Sequence, residues 1–287
     1  MNPQIDVTDK AWPAPAKLNL FLHITGRGAD GYHNLQTLFQ ILDWGDDLYF
    51  QVTDDGVIGR SNDVEGVPQD RDICILAAQL LKAHCGVEKG VQIELIKRTP
   101  MGAGLGGGSS DAATVLCALN RLWSCGLTQP QLGQLGLELG ADVPVFVNGY
   151  SAWAEGRGEK LQAVALGERY YVLVFPSLGI STADVFGHPM LTRDSKPVKM
   201  TTESLQPGRN DCENTVLQMY PELKKVVQDM SVWGHPHMSG TGSTFFLAFD
   251  KKKNAKKAAS VLECRYNVRR VSGVDRSDLL NRLTEAY

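Results

Sequence analysis

The sequence of 287 residues lacks three features that mark other classes of protein. No apolar run approaches the 18 or more residues of a membrane span, and Asp6 and Asp9 stand where a signal peptide would have its apolar core. The six cysteines show no Cys-x-x-Cys spacing, so free thiols in a reducing compartment are expected over disulfides or zinc. Charge of either sign is not in excess, because the formal net charge is −3. We therefore expect a cytoplasmic protein that binds neither membranes nor nucleic acid.

Glycine, in contrast, is concentrated between residues 100 and 113, where five glycines fall within seven positions. Glycine reaches positive φ without steric cost and lets backbone N–H groups approach an anion. An apolar stripe at helical spacing follows, which predicts a helix over residues 111–123 with Ser109, Ser110 and Asp111 as capping residues. The stretch therefore predicts a phosphate cradle that opens onto a helix N-terminus. The residues expected to line it are Pro100, Met101, Gly102, Ala103, Gly104, Leu105, Gly106, Gly107, Gly108, Ser109 and Ser110.

Three other interpretations of this loop are weaker. A Walker A loop would need a lysine, and none occurs between Lys97 and Lys160. Residues 102–107 match Gly-x-Gly-x-x-Gly, but Pro100 separates them from the preceding strand, and residues 123–128 supply neither a strand nor an acidic residue for a ribose. A flexible linker does not usually run straight into an amphipathic helix.

Polar side chains at three other places are candidates for a site. Lys17 and Asn19 lie two positions apart in a predicted strand and so share one face, although an exposed strand face would explain them too. Tyr32 and His33 can stack on and hydrogen-bond a flat heterocycle, with an ordinary turn as the alternative. Asp142 follows a helix stop at residue 140 and precedes an apolar segment, which suits an acid or base, although helix capping explains a lone aspartate more often.

Periodicity predicts an α+β chain. Residues 1–15 are expected to be a loose lead-in and residues 54–70 a polar, turn-rich segment. Strands are expected over 16–25, 35–42, 47–52, 91–96, 170–175, 245–249 and 268–274. Further helices are expected over 73–85, from about 129 to 140, and over 217–230 and 254–262.

Three motifs in order resemble the small-molecule kinase superfamily named for galactokinase, homoserine kinase, mevalonate kinase and phosphomevalonate kinase, the GHMP kinases. They are residues 15–20 (Pro-Ala-Lys-Leu-Asn-Leu), residues 100–113 and residues 239–243 (Ser-Gly-Thr-Gly-Ser). Residues 26–33, the triple glycine before Ser109 and residues 140–146 are most similar to one branch, which phosphorylates the 2-hydroxyl of 4-diphosphocytidyl-2-C-methyl-D-erythritol in non-mevalonate isoprenoid biosynthesis. The match runs from about residue 12 to 249.

The resemblance implies a two-domain GHMP kinase fold of the α+β class. Its N-terminal ATP domain, like ribosomal protein S5, would cover residues 1–155, and a ferredoxin-like substrate domain residues 156–287, with the last helix packing back on the first domain. It implies ATP and Mg²⁺ as cofactors, a cytidine diphosphate alcohol as substrate, and a monomer or weak homodimer. Another GHMP kinase with a different alcohol is the alternative. A nucleotide-binding protein without catalysis is a further alternative, against which the presence of both Lys17 and Asp142 argues.

The resemblance also implies roles for single residues. Asp142 would be the catalytic base and Lys17 its charged partner. Magnesium follows from the triphosphate chemistry, with Ser110 as a candidate ligand and the rest of the metal shell unknown. Three residues would hold the cytosine ring: Tyr32, His33 and Phe186. The further substrate-binding positions would be Asn19, Thr182, Gly240, Thr241 and Gly242.

Overall fold

The structure, a computed structural model, describes residues 10–28, 31–64 and 66–285. The described strands are β1 (Trp12–Arg27), β2 (His33–Thr53), β3 (Ile58–Arg60), β4 (Gly90–Ile96), β5 (Ala152–Gly156), β6 (Lys160–Ala163), β7 (Arg169–Phe175), β8 (His237–Met238), β9 (Phe245–Phe249) and β10 (Asn267–Val274). The described α-helices are α1 (Ile73–Cys85), α2 (Gly107–Leu122), α3 (Gln129–Leu137), α4 (Val143–Asn148), α5 (Thr182–Gly187), α6 (Glu213–Met219), α7 (Leu223–Met230), α8 (Lys252–Leu262) and α9 (Asp278–Thr284). In these ranges no helix is both long enough and apolar enough to cross a bilayer.

The described strands join in one ten-stranded sheet, with β2 at its centre. The main path runs β3-β4-β2-β10-β7-β9-β8, while β1 and β5 also pair with β2, and β6 pairs with β5. Strand β10 joins β2 through the pairs Gly273 with Leu42 and Val274 with Ile41. One sheet therefore runs through both halves of the chain, and the α+β class predicted from the sequence is confirmed. The domain boundary at residue 155 stays a prediction.

Strand β2 is a single strand of 21 residues where the sequence suggested two strands. Residues 43–46, which separate the two predicted strands, belong to the observed strand, and Gly45 pairs with Pro15 of β1. A Cβ at Gly45 would lie 2.0 Å from the carbonyl oxygen of Ala14. Glycine is needed there because the β1 backbone passes too close for any side chain.

Strand β1 begins at Trp12, so the prediction of a loose lead-in is wrong for residues 12–15. Residues 1–9 lie outside the described ranges. Trp12 is fully buried, and Pro13 and Pro15 lie inside the ladder. The two prolines are tolerated because β1 pairs with β2 alone among the described strands, so the missing N–H groups can fall on the unpaired side or at the irregularity after Pro15.

Two helices differ from their predicted bounds. The helix predicted over 217–230 is divided into α6 and α7, because Pro221 between them cannot continue a helix. Helix α2 begins at Gly107, four residues before the predicted start. The polar segment at 54–70 contains β3 and a short 3₁₀ turn at Gln69–Arg71.

Three apolar cores hold these elements in place. One lies among α1 to α4 and the sheet and includes Leu279 of the last helix. Another lies among β7, β9 and helices α5 to α8. The third includes Leu20 of β1, Tyr171 of β7 and Phe246 of β9, so it joins the N-terminal half (residues 10–156) to the C-terminal half (157–285). The glycine loop lies against this third core through Ala103 and Leu105, which both are buried.

Candidate active site

The glycine loop connects β4 to α2 and is built from residues that reach positive φ. Gly102, Gly104 and Gly106 have φ of +63°, +74° and +70°, a region that L side chains rarely adopt. A Cβ at Gly106 would lie 2.9 Å from the Phe146 ring, and a Cβ at Gly107 would lie 2.3 Å from Thr99 Oγ1. These glycines therefore determine the path of the loop through backbone geometry alone, independently of any ligand.

The third motif, residues 239–243, packs directly on this loop. Ser239 Oγ donates to Gly104 O at 2.8 Å, and a Cβ at Gly104 would lie 2.1 Å from Ser239 O. Asn210 holds the motif from behind, since its Nδ2 donates to Met238 O at 2.8 Å and to Gly240 O at 2.7 Å. The loop and the motif thus form one wall, although they are more than a hundred residues apart in sequence.

Helix α2 starts at the end of this loop without a capping side chain. Its N-cap is Gly106, which has no side chain, so the prediction that Ser109, Ser110 and Asp111 act as caps is wrong. The physical reason is that the helix begins at Gly107, so these three residues already lie inside it and not before it. Backbone N–H groups at the start of α2 are left for another acceptor, which is the property that makes a helix N-terminus bind anions.

Asp111 instead belongs to a buried ion-pair cluster beneath the helix start. Lys97 Nζ lies 2.7 Å from Asp111 Oδ2 and 2.6 Å from Asp46 Oδ2. Burial raises the pKa of Asp111 to about 8 in spite of Lys97. Burial alone would also raise the pKa of Asp46, but Lys97 and the hydrogen bonds from Thr99 hold it below its ordinary value. One lysine thus keeps one of the two carboxyls ionised and leaves the other protonated near neutral pH.

Lys17 and Asp142 meet at the other side of the loop. Lys17 Nζ lies 3.3 Å from Asp142 Oδ2, although β1 and the start of α4 are far apart in sequence. Lys17 also donates to Gly104 O at 3.2 Å and to Asn19 Oδ1, so the ammonium is anchored from three directions. The side chain of Asp142 is one-third exposed and makes no cap hydrogen bond to α4. Asp142 thus occupies the N-cap position of α4, but its carboxylate pairs with Lys17 and does not cap the helix by a hydrogen bond.

The strand face that carries Lys17 is polar and buried. Lys17 and Asn19 are both 3% exposed, which excludes the alternative of an exposed strand face. Asn19 Nδ2 donates to Thr37 Oγ1 at 2.9 Å, and Asn19 N donates to Ser239 Oγ at 3.2 Å. A buried polar face of this kind is costly unless it is fully paired, and it marks a site rather than a core.

The aromatic residues expected around a base are only partly together. His33 stacks on Phe186 with ring centroids 5.1 Å apart and planes 27° apart. Tyr32 is 59% exposed, and the guanidinium of Arg157 lies 3.9 Å from the centre of its ring. Burial, followed by the charges of Arg193 and Arg27, lowers the pKa of His33. The guanidinium of Arg157 thus covers one face of the Tyr32 ring, and the expectation that Tyr32, His33 and Phe186 hold the cytosine ring stays a prediction.

A cavity of about 620 Å³ connects these parts. Of the residues chosen from the sequence, it is lined by Lys17, Asn19, Pro100, Met101, Gly102, Ala103, Gly104, Leu105, Gly106, Gly107, Gly108, Ser109, Asp142, Thr182, Phe186, Gly240 and Thr241. Thr182 Oγ1 and Thr241 Oγ1 lie 3.0 Å apart across its C-terminal wall. Ser110, Tyr32, His33 and Gly242 are not among its lining residues. Ser110 is fully buried, and its Oγ has no hydrogen-bond partner within the described residues.

One end of the cavity was missed by the sequence analysis. It is formed by residues between β3 and α1 and by Lys97 after β4: Arg60, Val64, Val67, Arg71, Asp72, Ile73 and Lys97. Arg60 and Asp72 form a buried ion pair there, and Asp72 also caps α1 by accepting from Cys74 N at 2.8 Å. The one available signal was an aspartate directly before a helical pattern, which marks an N-cap but not a cavity.

Comparison with known proteins agrees with this arrangement. Residues 72–150 match the family model described as GHMP kinases N terminal domain. Proteins named 4-diphosphocytidyl-2-C-methyl-D-erythritol kinase are 51% identical over 264 residues in Burkholderia mallei, covering 88% of this chain and 90% of the relative, and 51% identical over 259 residues in Burkholderia thailandensis, covering 87% and 88%.

Solved structures give the same result. A crystal structure of 4-(cytidine 5'-diphospho)-2C-methyl-D-erythritol kinase matches with a TM-score of 0.77 at 34% identity, over 92% of this chain and 98% of that one. A mevalonate kinase matches with a TM-score of 0.66 over 91% and 98%, but at 14% identity it shows the shared fold alone. The family expected from the three motifs is confirmed: the chain belongs to the 4-diphosphocytidyl-2-C-methyl-D-erythritol kinases, a branch of the GHMP kinases.

Proposed function

We propose that this protein transfers the γ-phosphoryl group of ATP to the 2-hydroxyl of 4-diphosphocytidyl-2-C-methyl-D-erythritol. The observation that carries the proposal is the Lys17–Asp142 pair, 3.3 Å apart, in the cavity that the glycine loop and Phe186 also line. An uncapped helix start, a charged pair and an aromatic residue thus share one cavity. The relatives named above carry the same activity in their names.

In the proposed reaction Asp142 accepts the proton of the attacking hydroxyl. The alcohol oxygen forms a bond to the γ-phosphorus as the bond to the bridging oxygen breaks, and ADP leaves. Such a transition state is loose, so the protein contributes mainly by placing the alcohol and by stabilising charge spread over the phosphoryl oxygens. Lys17, held by Gly104 O and Asn19, would supply that charge at a fixed position.

The glycine loop and the start of α2 would hold the phosphates of ATP. Backbone N–H groups at the start of α2 lack a capping side chain, and Gly108 and Ser109 line the cavity. The wall that includes Arg60, Ile73 and Lys97 extends the cavity beyond the loop, which gives the nucleotide room. Two different ends of one cavity would thus hold the two substrates.

Magnesium fits this site as a companion of the phosphates. The described residues contain no group of three or more His, Cys, Asp or Glu side chains that could hold a metal by themselves. Mg²⁺ usually keeps several waters and is bound by one or two carboxylates together with substrate phosphates. When bound it would neutralise phosphate charge. Ser110, the ligand expected from the sequence, has an unpartnered Oγ, but it is fully buried and does not line the cavity, so its ligand role stays a prediction.

The test is a substrate panel. Release of ADP is measured with the cytidine diphosphate alcohol and, at equal concentrations, with mevalonate, homoserine and galactose. We expect turnover with the cytidine compound alone. Turnover with another of these alcohols would identify a different GHMP kinase, and turnover with none, while ATP still binds, would indicate a nucleotide-binding protein without catalysis.

A further inference from the structure

Arg193 lies behind His33 and makes four hydrogen bonds with its guanidinium group. Its Nε donates to His33 Nε2 at 3.1 Å. One terminal nitrogen donates to Phe186 O at 2.9 Å and to His188 O at 2.8 Å, and the other donates to Leu191 O at 3.1 Å. Arg193 therefore fastens the imidazole to the end of α5, the helix that carries Phe186.

The contact with Nε2 dictates where the imidazole carries its proton. A guanidinium group remains protonated in proteins and has donors only. The ring nitrogen that accepts from it must therefore be bare, and in a neutral imidazole the proton is then on Nδ1. The ring is held neutral, because burial first, and then the positive charges of Arg193 and Arg27, lower the pKa of His33.

We propose that Arg193 is a positioning residue that holds His33 in its Nδ1-protonated form, so that the imidazole offers the pyrimidine ring of the substrate a hydrogen-bond donor and not an acceptor. The identity of the ligand rests on the proposed function, whereas the assignment of the proton to Nδ1 of His33 does not. Cytosine presents acceptors at O2 and N3 and a donor at its 4-amino group. His33 would then bind the acceptor edge of the base, and the amino group must be recognised by another atom.

The proton position is tested in the absence of any substrate. Protein labelled with ¹⁵N in its histidines is examined by NMR near neutral pH, with His33→Gln used to assign the signal. We expect Nε2 of His33 to be bare and Nδ1 to carry the proton in the wild type and in Arg193→Lys, because lysine is also a donor without an acceptor. In Arg193→Met we expect a substantial population with the proton on Nε2. The proposal is overturned if the wild type carries the proton on Nε2, or if the proton position is the same in Arg193→Met as in the wild type. Either result counts whether or not the cytidine compound is turned over.

Kinetics separate this role from a merely structural one. In Arg193→Met we expect the KM for the cytidine substrate to rise by about tenfold, the usual effect of one hydrogen bond, while kcat and the KM for ATP change little. Arg193→Lys should restore most of the loss. In the background of His33→Ala, Arg193→Met should add nothing, because its effect passes through the imidazole.

Additive losses in that double variant would mean that Arg193 acts through the α5 carbonyls, and would overturn the proposal. Arg121→Met is a matched control, because Arg121 also donates to backbone carbonyls, those of Leu283 and Glu285, and does not line the cavity. Its KM for the cytidine substrate should equal that of the wild type. Thermal unfolding of each variant shows whether it is folded.

Discussion

At the scale of single residues, Asp142 is the side chain whose chemistry can be tested most directly. Asp142→Asn keeps the size of the side chain and removes its basicity, so we expect kcat to fall by at least about 100-fold, the low end for acid–base catalysis. The KM for ATP should change little, and so should the unfolding temperature, because the side chain is one-third exposed and makes no cap hydrogen bond to α4.

Steady-state ADP release checks this, with Asp184→Asn as the control. Asp184 is an exposed carboxylate in the first turn of α5 and does not line the cavity, so its variant should keep the wild-type kcat. Near-normal turnover in Asp142→Asn would remove this residue from the mechanism.

Asp111 predicts a pH dependence of stability. Its pKa of about 8 in the folded protein lies far above the value of about 3.9 for an unfolded chain. The folded state therefore binds a proton that the unfolded state releases, so this contribution to the free energy of unfolding is full below about pH 4 and is lost as pH rises through about 8. Asp111→Asn cannot titrate and retains an oxygen that accepts from Lys97.

Urea unfolding at several pH values between 5 and 8.5 measures the effect. The free energy of unfolding of the wild type should fall with pH relative to that of Asp111→Asn, with a difference in slope of at most about 1.4 kcal/mol per pH unit. Equal slopes would mean that Asp111 does not take up a proton when the chain folds.

At the scale of elements, the start of α2 can be tested with two helical glycines. Both have room for a methyl group, but they lie in different helices. A Cβ at Gly108 would meet only Ile73 Cγ2 at 3.9 Å, and a Cβ at Gly133 in α3 would meet nothing within 4 Å. Alanine at either position should stabilise the ligand-free protein by about 0.5–1 kcal/mol, because both glycines lie in helices.

The two variants should differ when ATP with magnesium is added. Gly108 lines the cavity and Gly133 does not, so the new methyl group should hinder the phosphates only in Gly108→Ala. The ligand-induced rise in unfolding temperature should therefore shrink in that variant and stay normal in Gly133→Ala. Equal shifts in both would place the phosphates elsewhere.

Much of the fold at this scale could be predicted, because local patterns carry it. The alternation in β1 and β4, the apolar run in β7 and the helical spacing in α1, α3 and α8 place these elements within a few residues of their observed bounds. The strand over residues 12–15 was missed because two prolines suggest a break unless the pairing of the strand is known.

The residues of the candidate site also fall into two groups, those that the sequence could identify and those that it could not. Lys17, Asn19 and Asp142 could be identified as candidate site residues from the sequence. Each is a polar residue in a predicted strand or next to an apolar segment. Arg193, Arg60 and Lys97 could not, since their roles come from partners brought close by the sheet and not from their own neighbours in sequence. Asp111 was misread as a cap for the same reason: its partner Lys97 lies in the loop after β4 and not beside it in the helix.

At the scale of the whole molecule, α9 returns the end of the chain to its beginning. The helix packs against β1 and α2, and Leu279 is fully buried in the N-terminal core. Leu279→Ala should lower the free energy of unfolding by about 2–5 kcal/mol through the cavity it leaves. Its kcat and KM values should stay normal, because Leu279 does not line the cavity that holds the candidate site.

Denaturant unfolding and steady-state kinetics check this, with Leu280→Ala as the comparison. Leu280 is only half-buried, so its variant should lose clearly less stability. Equal losses in the two variants would show that α9 is not docked through Leu279.

The unbroken strand β2 also limits how this protein can enclose its substrates. A hinge between two rigid bodies needs a connection that bends, but here β10 continues the sheet from β2 into the C-terminal half, and a shared apolar core fills the junction. Large rotation of one half against the other would break ladder hydrogen bonds and expose that core. Enclosure is then expected from small movements at the rim of the cavity, and X-ray scattering in solution should give the same radius of gyration with and without both substrates.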